Sequence, residues 1–183
     1  GTSTRASSIS QLNGIWVKNS DKRRYLGTIR TTATTGQGED SKQSRLVWNI
    51  SNQVNRIISL LDLTSNVYNG PYRYYGGTTT NQINLVTGLA TEQVISYSAH
   101  VGGANANVAA CGLNSTTPIN NTVVGILNAA TFLAGAATLA TTNVASCPAG
   151  YNYISLLQQG DGSSAIGFAY AFFGAQVSGL IQC

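Results

Sequence analysis

The sequence predicts a mainly β protein, an antiparallel sandwich or jelly-roll-like fold. Three observations carry that expectation. Apolar residues recur with a period of two over short runs, which is the period of a strand with one buried face. Turn formers punctuate those runs at short intervals: Gly36-Gln37-Gly38, Asn69-Gly70-Pro71, Gly76-Gly77, Gly102-Gly103, Pro148-Ala149-Gly150 and Gly160-Asp161-Gly162. Charged residues make up only 9% of the 183 residues, against roughly a quarter in an average soluble domain, so the polar surface is built from Ser, Thr, Asn, Gln and Gly.

Taken in order, the first alternating run is Arg24–Thr31, with Tyr25, Gly27 and Ile29 on one face and Leu26, Thr28 and Arg30 on the other. In Arg45–Ile50, Leu46, Trp48 and Ile50 alternate with Val47 and Asn49, and Val54, Arg56, Ile58 and Leu60 extend the pattern. Gln93, Ile95, Tyr97, Ala99 and Val101 then oppose Val94, Ser96, Ser98 and His100. Tyr151–Gln158 and Ser164–Phe173 flank Gly160-Asp161-Gly162 and read as a hairpin. A short apolar strand, Val177–Ile181, closes the chain. The Ala-rich stretch Ile126–Ala140 is the one helix candidate, weakened by its Thr and Gly.

Charge divides the chain. All ten Lys and Arg fall between Arg5 and Arg73, and five of the six acids lie at or before Glu92, leaving Asp161 as the only later charge. A boundary is drawn near Gly76-Gly77, giving a charged module at 1–76 and a charge-poor region at 77–183 that either shares one sandwich with the first or forms an interface-rich head. So few charges suit a protein whose surface meets copies of itself, as in shells, fibres and pili. The basic half, despite a sequence pI near 9.1, carries no nucleic-acid reader motif, and its cations are scattered apart from Lys22-Arg23-Arg24. Thr122–Ala140 is uncharged, but Asn128, Gly125, Gly135 and several Thr argue against membrane insertion. The N-terminus has no signal-peptide pattern. The absence of Met, together with the opening Gly1-Thr2-Ser3-Thr4, reads as a piece of a longer chain.

Chemistry finds little footing. His100 is the only histidine, and no Gly-x-Ser-x-Gly elbow accompanies it. Glu39 and Asp40 are adjacent, so in a strand they point to opposite faces, and a glycan-cleaving pair would need Asp62 or Glu92 from another segment. No Asp-x-Asp spacing, C-x-x-C pair or phosphate loop is present, so no metal and no cofactor is expected. Cys111, Cys147 and Cys183 form an odd set, which leaves at least one thiol free or paired between chains and the pairing open. Tyr68, Tyr72, Tyr74 and Tyr75 cluster around Asn69-Gly70-Pro71 and are the candidate contacts for a host receptor or surface glycan, or else a core or subunit seam.

One segment resembles a known module. Gly14-Ile15-Trp16-Val17-Lys18 is followed by Arg23-Arg24-Tyr25-Leu26-Gly27-Thr28-Ile29-Arg30, then Glu39-Asp40-Ser41, Arg45-Leu46-Val47-Trp48-Asn49 and Asn52-Gln53-Val54-Asn55-Arg56. That succession is similar to a module of tailed-phage virion proteins of the fibre or decoration type, and covers roughly the stretch from Gly14 to Arg56. The resemblance implies a trimeric projection on a head or tail, with other virion proteins as partners and no catalytic residues. The expected function is therefore structural, at the virion surface. The alternatives are a receptor- or glycan-binding fibre tip and, from another class, a tailspike-type glycosidase. Independently of the resemblance, Gly27 is expected to admit a close backbone or ring, and Trp16 and Trp48 to anchor a core.

Overall fold

A computed structural model describes residues 7–19, 21–64, 66–68, 70–89, 94–101, 108–116, 139–159, 166–168 and 175–182. The fold is mainly β with antiparallel sheets, and no α-helix occurs among the described residues. The first element is a hairpin, β1 (Ile9–Leu12) against β2 (Ile15–Lys18), with Leu12 opposite Ile15. Its two-residue turn is Asn13-Gly14, both with positive φ (50° and 79°), the geometry that matches strand twist in a tight hairpin.

β3 (Gly27–Ile29) pairs antiparallel with β5 (Val47–Asn49), so the two recognisable segments of the sequence form one ribbon. Between them lies β4 (Ser44–Arg45), which instead pairs parallel with β9 (Gln82–Thr87). The chain changes partner at Leu46, whose N–H donates to Glu39 O at 3.0 Å and whose carbonyl accepts from Arg30 N at 2.9 Å. A Cβ built at Gly27 would overlap the Trp48 carbonyl oxygen on the facing strand, so the expected close approach is real and is made by backbone.

Four eight-residue strands form one sheet in the order β12 (Leu139–Ser146), β10 (Val94–Val101), β15 (Ala175–Gln182), β6 (Asn55–Asp62). A second sheet runs β11 (Val108–Leu113), β13 (Gly150–Gln159), β9, β4, with β8 (Arg73–Tyr74) also on β13. The inward residues of both sheets meet in one cluster. Ile58, Leu60, Val177 and Ile181 come from the first sheet, and Ile83, Leu85, Cys111, Ile154 and Leu156 from the second. Trp48, 2% exposed, joins this cluster from the ribbon, with the Tyr25 ring stacked on it at 5.9 Å. Strand pairing crosses the 76/77 boundary repeatedly, as β4 with β9, β6 with β15, β8 with β13, and β7 (Asn66–Tyr68) with β14 (Ile166–Phe168).

Alternation holds in 45–50 and 55–62, where Leu46, Trp48, Ile58 and Leu60 are buried and Val47, Asn49, Ile57 and Leu61 face out, whereas Val54, which the pattern places with Ile58 and Leu60, is 41% exposed. Two expectations need correction. Leu26 and Ile29 are 62% and 67% exposed, so neither face of the Arg24–Thr31 run is buried as the alternation implies. Tyr25 and Thr28 turn inward instead, because the strand there spans only three residues and hydrogen bonds of Tyr25 N to Trp16 O and Ile50 N to Leu26 O hold its flank. Among the described residues, the hairpin expected between Tyr151–Gln158 and Ser164–Phe173 does not form, and 164, 165 and 169–173 lie outside them. β13 has β11 along one edge and β9 and β8 along the other, so both edges are occupied and Ile166–Phe168 pairs with β7. Of the helix candidate Ile126–Ala140, Leu139 and Ala140 lie in β12, and the remainder lies outside the described residues.

Candidate functional site

The four tyrosines proposed from sequence do not form one surface. Tyr75 follows β8 in a 3-10 turn (Tyr75–Gly77) and is fully buried, its hydroxyl donating to Thr64 O at 3.0 Å. It offers nothing to a ligand, because the turn after β8 carries its ring into the core. Tyr68 is half-buried, donates to Pro71 O at 2.7 Å, and lies under the Arg73 guanidinium at 3.6 Å from its ring centre. Tyr72 packs against the core, and burial pushes its phenol above the ordinary value.

Tyr74 belongs elsewhere. It stands on β8 opposite Leu157, on the same face of the second sheet as Tyr151, Tyr153, Gln82 and Asn84. Opposed residues in a ladder share a face, and here Tyr153 opposes Asn84. The Tyr151 hydroxyl donates to Asn84 Oδ1 at 2.6 Å, and Gln82 Nε2 donates to the same oxygen at 2.7 Å. The Tyr74 hydroxyl reaches Gln82 Oε1 at 3.5 Å. The Tyr151 and Tyr153 rings lie 6.4 Å apart at 39°, and the Arg30 guanidinium sits 3.4 Å from the Tyr151 ring centre. Burial first, then the neighbouring Tyr153 and Tyr151 phenols, hold the Tyr74 hydroxyl above its ordinary pKa. All six side chains are half-exposed. Tyr151 and Tyr153 escaped notice in the sequence because they lie some 75 residues from the loop cluster, although their i, i+2 spacing puts them on one face of a strand.

A second polar group lies near the turn after β8. Asn81 is buried and donates from Nδ2 to Tyr75 O at 2.7 Å and to Asp62 Oδ2 at 2.6 Å. Asp62 Oδ1 accepts from Thr64 N at 2.7 Å. Burial alone would raise this carboxyl, but the hydrogen bonds from Thr64 and Asn81 outweigh it and hold Asp62 below its ordinary value. Gln158, also buried, accepts from Gly76 N at 3.3 Å.

The remaining carboxylates serve local contacts. Asp40 pairs with Arg45 at 2.9 Å, and Glu39 accepts from Ser41 Oγ at 2.6 Å. Asp21 pairs with Arg23 at 2.6 Å and Lys18 at 3.3 Å, which partly neutralises the Lys22-Arg23-Arg24 run and holds Asp21 well below the carboxylate range. Glu92 and Asp161 lie outside the described residues, and among those described no cluster of His, Cys, Asp and Glu is placed to hold a metal ion. His100 lies in β10 in register with Gln176 and Ala140. Cys111 and Cys147 are free thiols buried in the core, and burial pushes both up, Cys147 to about 12. Cys183 lies outside the described residues. No described helix is long and apolar enough to cross a membrane.

With that geometry in hand, comparison with protein-family models, with curated proteins and with solved structures gives no match for the chain.

Proposed function

We propose that the chain is a structural protein of a virion, part of a phage fibre or of a head or tail decoration, that works by associating with copies of itself. The observation that carries self-association is the outer face of the four-stranded sheet. On β6 and β15 it presents Ile57, Leu61 and Leu180, exposed to 55%, 56% and 46%, beside Ser59 and Ser178. The positions in register with them are Val94, Ser96, Ser98 and His100 on β10, and Ala140, Thr142, Val144 and Ser146 on β12. Across all four strands that face holds no Asp, Glu, Lys or Arg. Eight residues by four strands make a face of about 27 by about 19 Å. A pair of such faces covers on the order of 1,000 Å², the lower bound of a specific interface. An uncharged face meets its own copy without like-charge repulsion, and Ser and Thr lose little on burial when they hydrogen-bond.

Two further features fit this reading. Both sheets contribute side chains to one buried cluster, which supports the sandwich expected for such a domain. The segments resembling the phage module pair with each other as β3 and β5, so they behave as one unit. The virion assignment and the trimer rest on that resemblance. The test of the virion assignment is mass spectrometry and antibody labelling of intact particles from the encoding phage. The chain is expected in stoichiometric amounts at one surface location, and particles lacking it would overturn the assignment.

A further inference from the structure

The tyrosine and amide row on the second sheet lies apart from the uncharged face of the first, and self-association makes no use of it. We infer that Tyr74, Tyr151, Tyr153, Gln82 and Asn84 form a binding platform for a neutral saccharide. Three properties converge. First, the row combines rings with amides within a few ångströms, and sugars need both: an aromatic surface for their C–H face and fixed polar groups for their hydroxyls. Second, it is preorganised. Asn84 Oδ1 receives both the Tyr151 hydroxyl and Gln82 Nε2, which saturates that oxygen and turns the Asn84 Nδ2 donors away from it. The Gln82 amide is held in turn by Asn84 and Tyr74. Side chains already fixed on paired strands lose little entropy when a ligand arrives.

Third, the electrostatics select against a charged ligand. Arg30 is the formal charge at the row, and its guanidinium is committed to the Tyr151 ring at 3.4 Å. Among the described residues no carboxylate lies in the row to bind a cation, and no cluster of cations lies there to bind a phosphate. A ligand built of hydroxyls and apolar C–H faces is what such a surface complements. A network serving only the sheet would place its rings and amides the same way, so the experiment must read ligand rather than stability.

The test is a titration of the isotope-labelled full chain with chitohexaose, maltohexaose and dextran, followed by NMR. At least one is expected to bind with a dissociation constant of about 1 mM or tighter, weak affinity being usual for a shallow saccharide site. The shifts should centre on the amides of Tyr153 and Asn84. Tyr153→Ala and Asn84→Ala are each expected to weaken binding roughly tenfold, whereas Tyr153→Phe, which keeps the ring, retains it. Ile57→Lys, on the other sheet, leaves binding intact. Binding of none of the three, or binding that survives both alanine variants unchanged, overturns the inference. Saccharide binding by a chain that sediments as a monomer would sink the assembly reading and leave this one standing.

Discussion

At the scale of single residues, Trp48 organises its surroundings. Its ring lies where a Cβ at Gly88 would be, its carbonyl lies where a Cβ at Gly27 would be, and Tyr25 stacks on its face. Gly88→Ala therefore puts a methyl into an occupied volume and is expected to cost about 1–3 kcal/mol. Trp48→Ala leaves a cavity and is expected to cost about 3–5 kcal/mol. Urea unfolding followed by circular dichroism measures both. Asp62 supplies a pH dependence. Its folded pKa is depressed, so the stability it contributes is present above the ordinary carboxylate range and lost as pH falls through the folded value. Asp62→Asn should flatten the acid limb of the stability curve and leave the neutral region little steeper. The thiols run the other way. With their folded pKa raised, Cys111 and Cys147 contribute stability below the ordinary thiol value that is lost as pH rises above it. Both should stay inert to a thiol reagent in the native state and react in urea.

At the scale of elements, the strands with a buried face on one side were legible in the sequence. Leu46, Trp48, Ile58 and Leu60 take the burial their alternation implies, because burial of one face is what writes that pattern. The elements that were not legible are those where pairing, not patterning, decides. Nothing local to Tyr151–Gln158 says that three other strands already fill its edges. Leu26 and Ile29 are apolar yet exposed, since their ribbon is only three residues long and leans on the rest through Trp48 and Tyr25. The Asn13-Gly14 hairpin was legible in principle, as that dipeptide is a strong two-residue turn signal, but it was not among the turns expected. The candidate site was half legible: Tyr74 was in the expected cluster, while its partners come from β9 and β13 and are joined to it only by the fold. β15 lies between β10 and β6 and pairs with both. Ser178→Pro would remove a ladder donor from that inner strand, and is expected to abolish the cooperative unfolding transition, whereas a proline in the exposed loop 33–36 between β3 and β4 should not.

At the scale of the whole molecule, charge and sheet arrangement coincide. β10 through β15 contain no Asp, Glu, Lys or Arg, and they supply three of the four strands of the uncharged face. The N-terminal part, which holds all the cations, supplies β6 and the ribbons, and its ion pairs are exposed or half-exposed ones such as Arg23 with Asp21. Such pairs contribute little to folding. Self-association through the outer face of the four-stranded sheet is thus the central claim, and sedimentation equilibrium at micromolar concentration tests it most directly. The wild-type chain is expected as a stable oligomer, and the double substitution Ile57→Lys and Leu61→Lys, at exposed positions that leave the fold intact, as a folded monomer. A monomeric wild-type chain, or an oligomer indifferent to those two lysines, would contradict it.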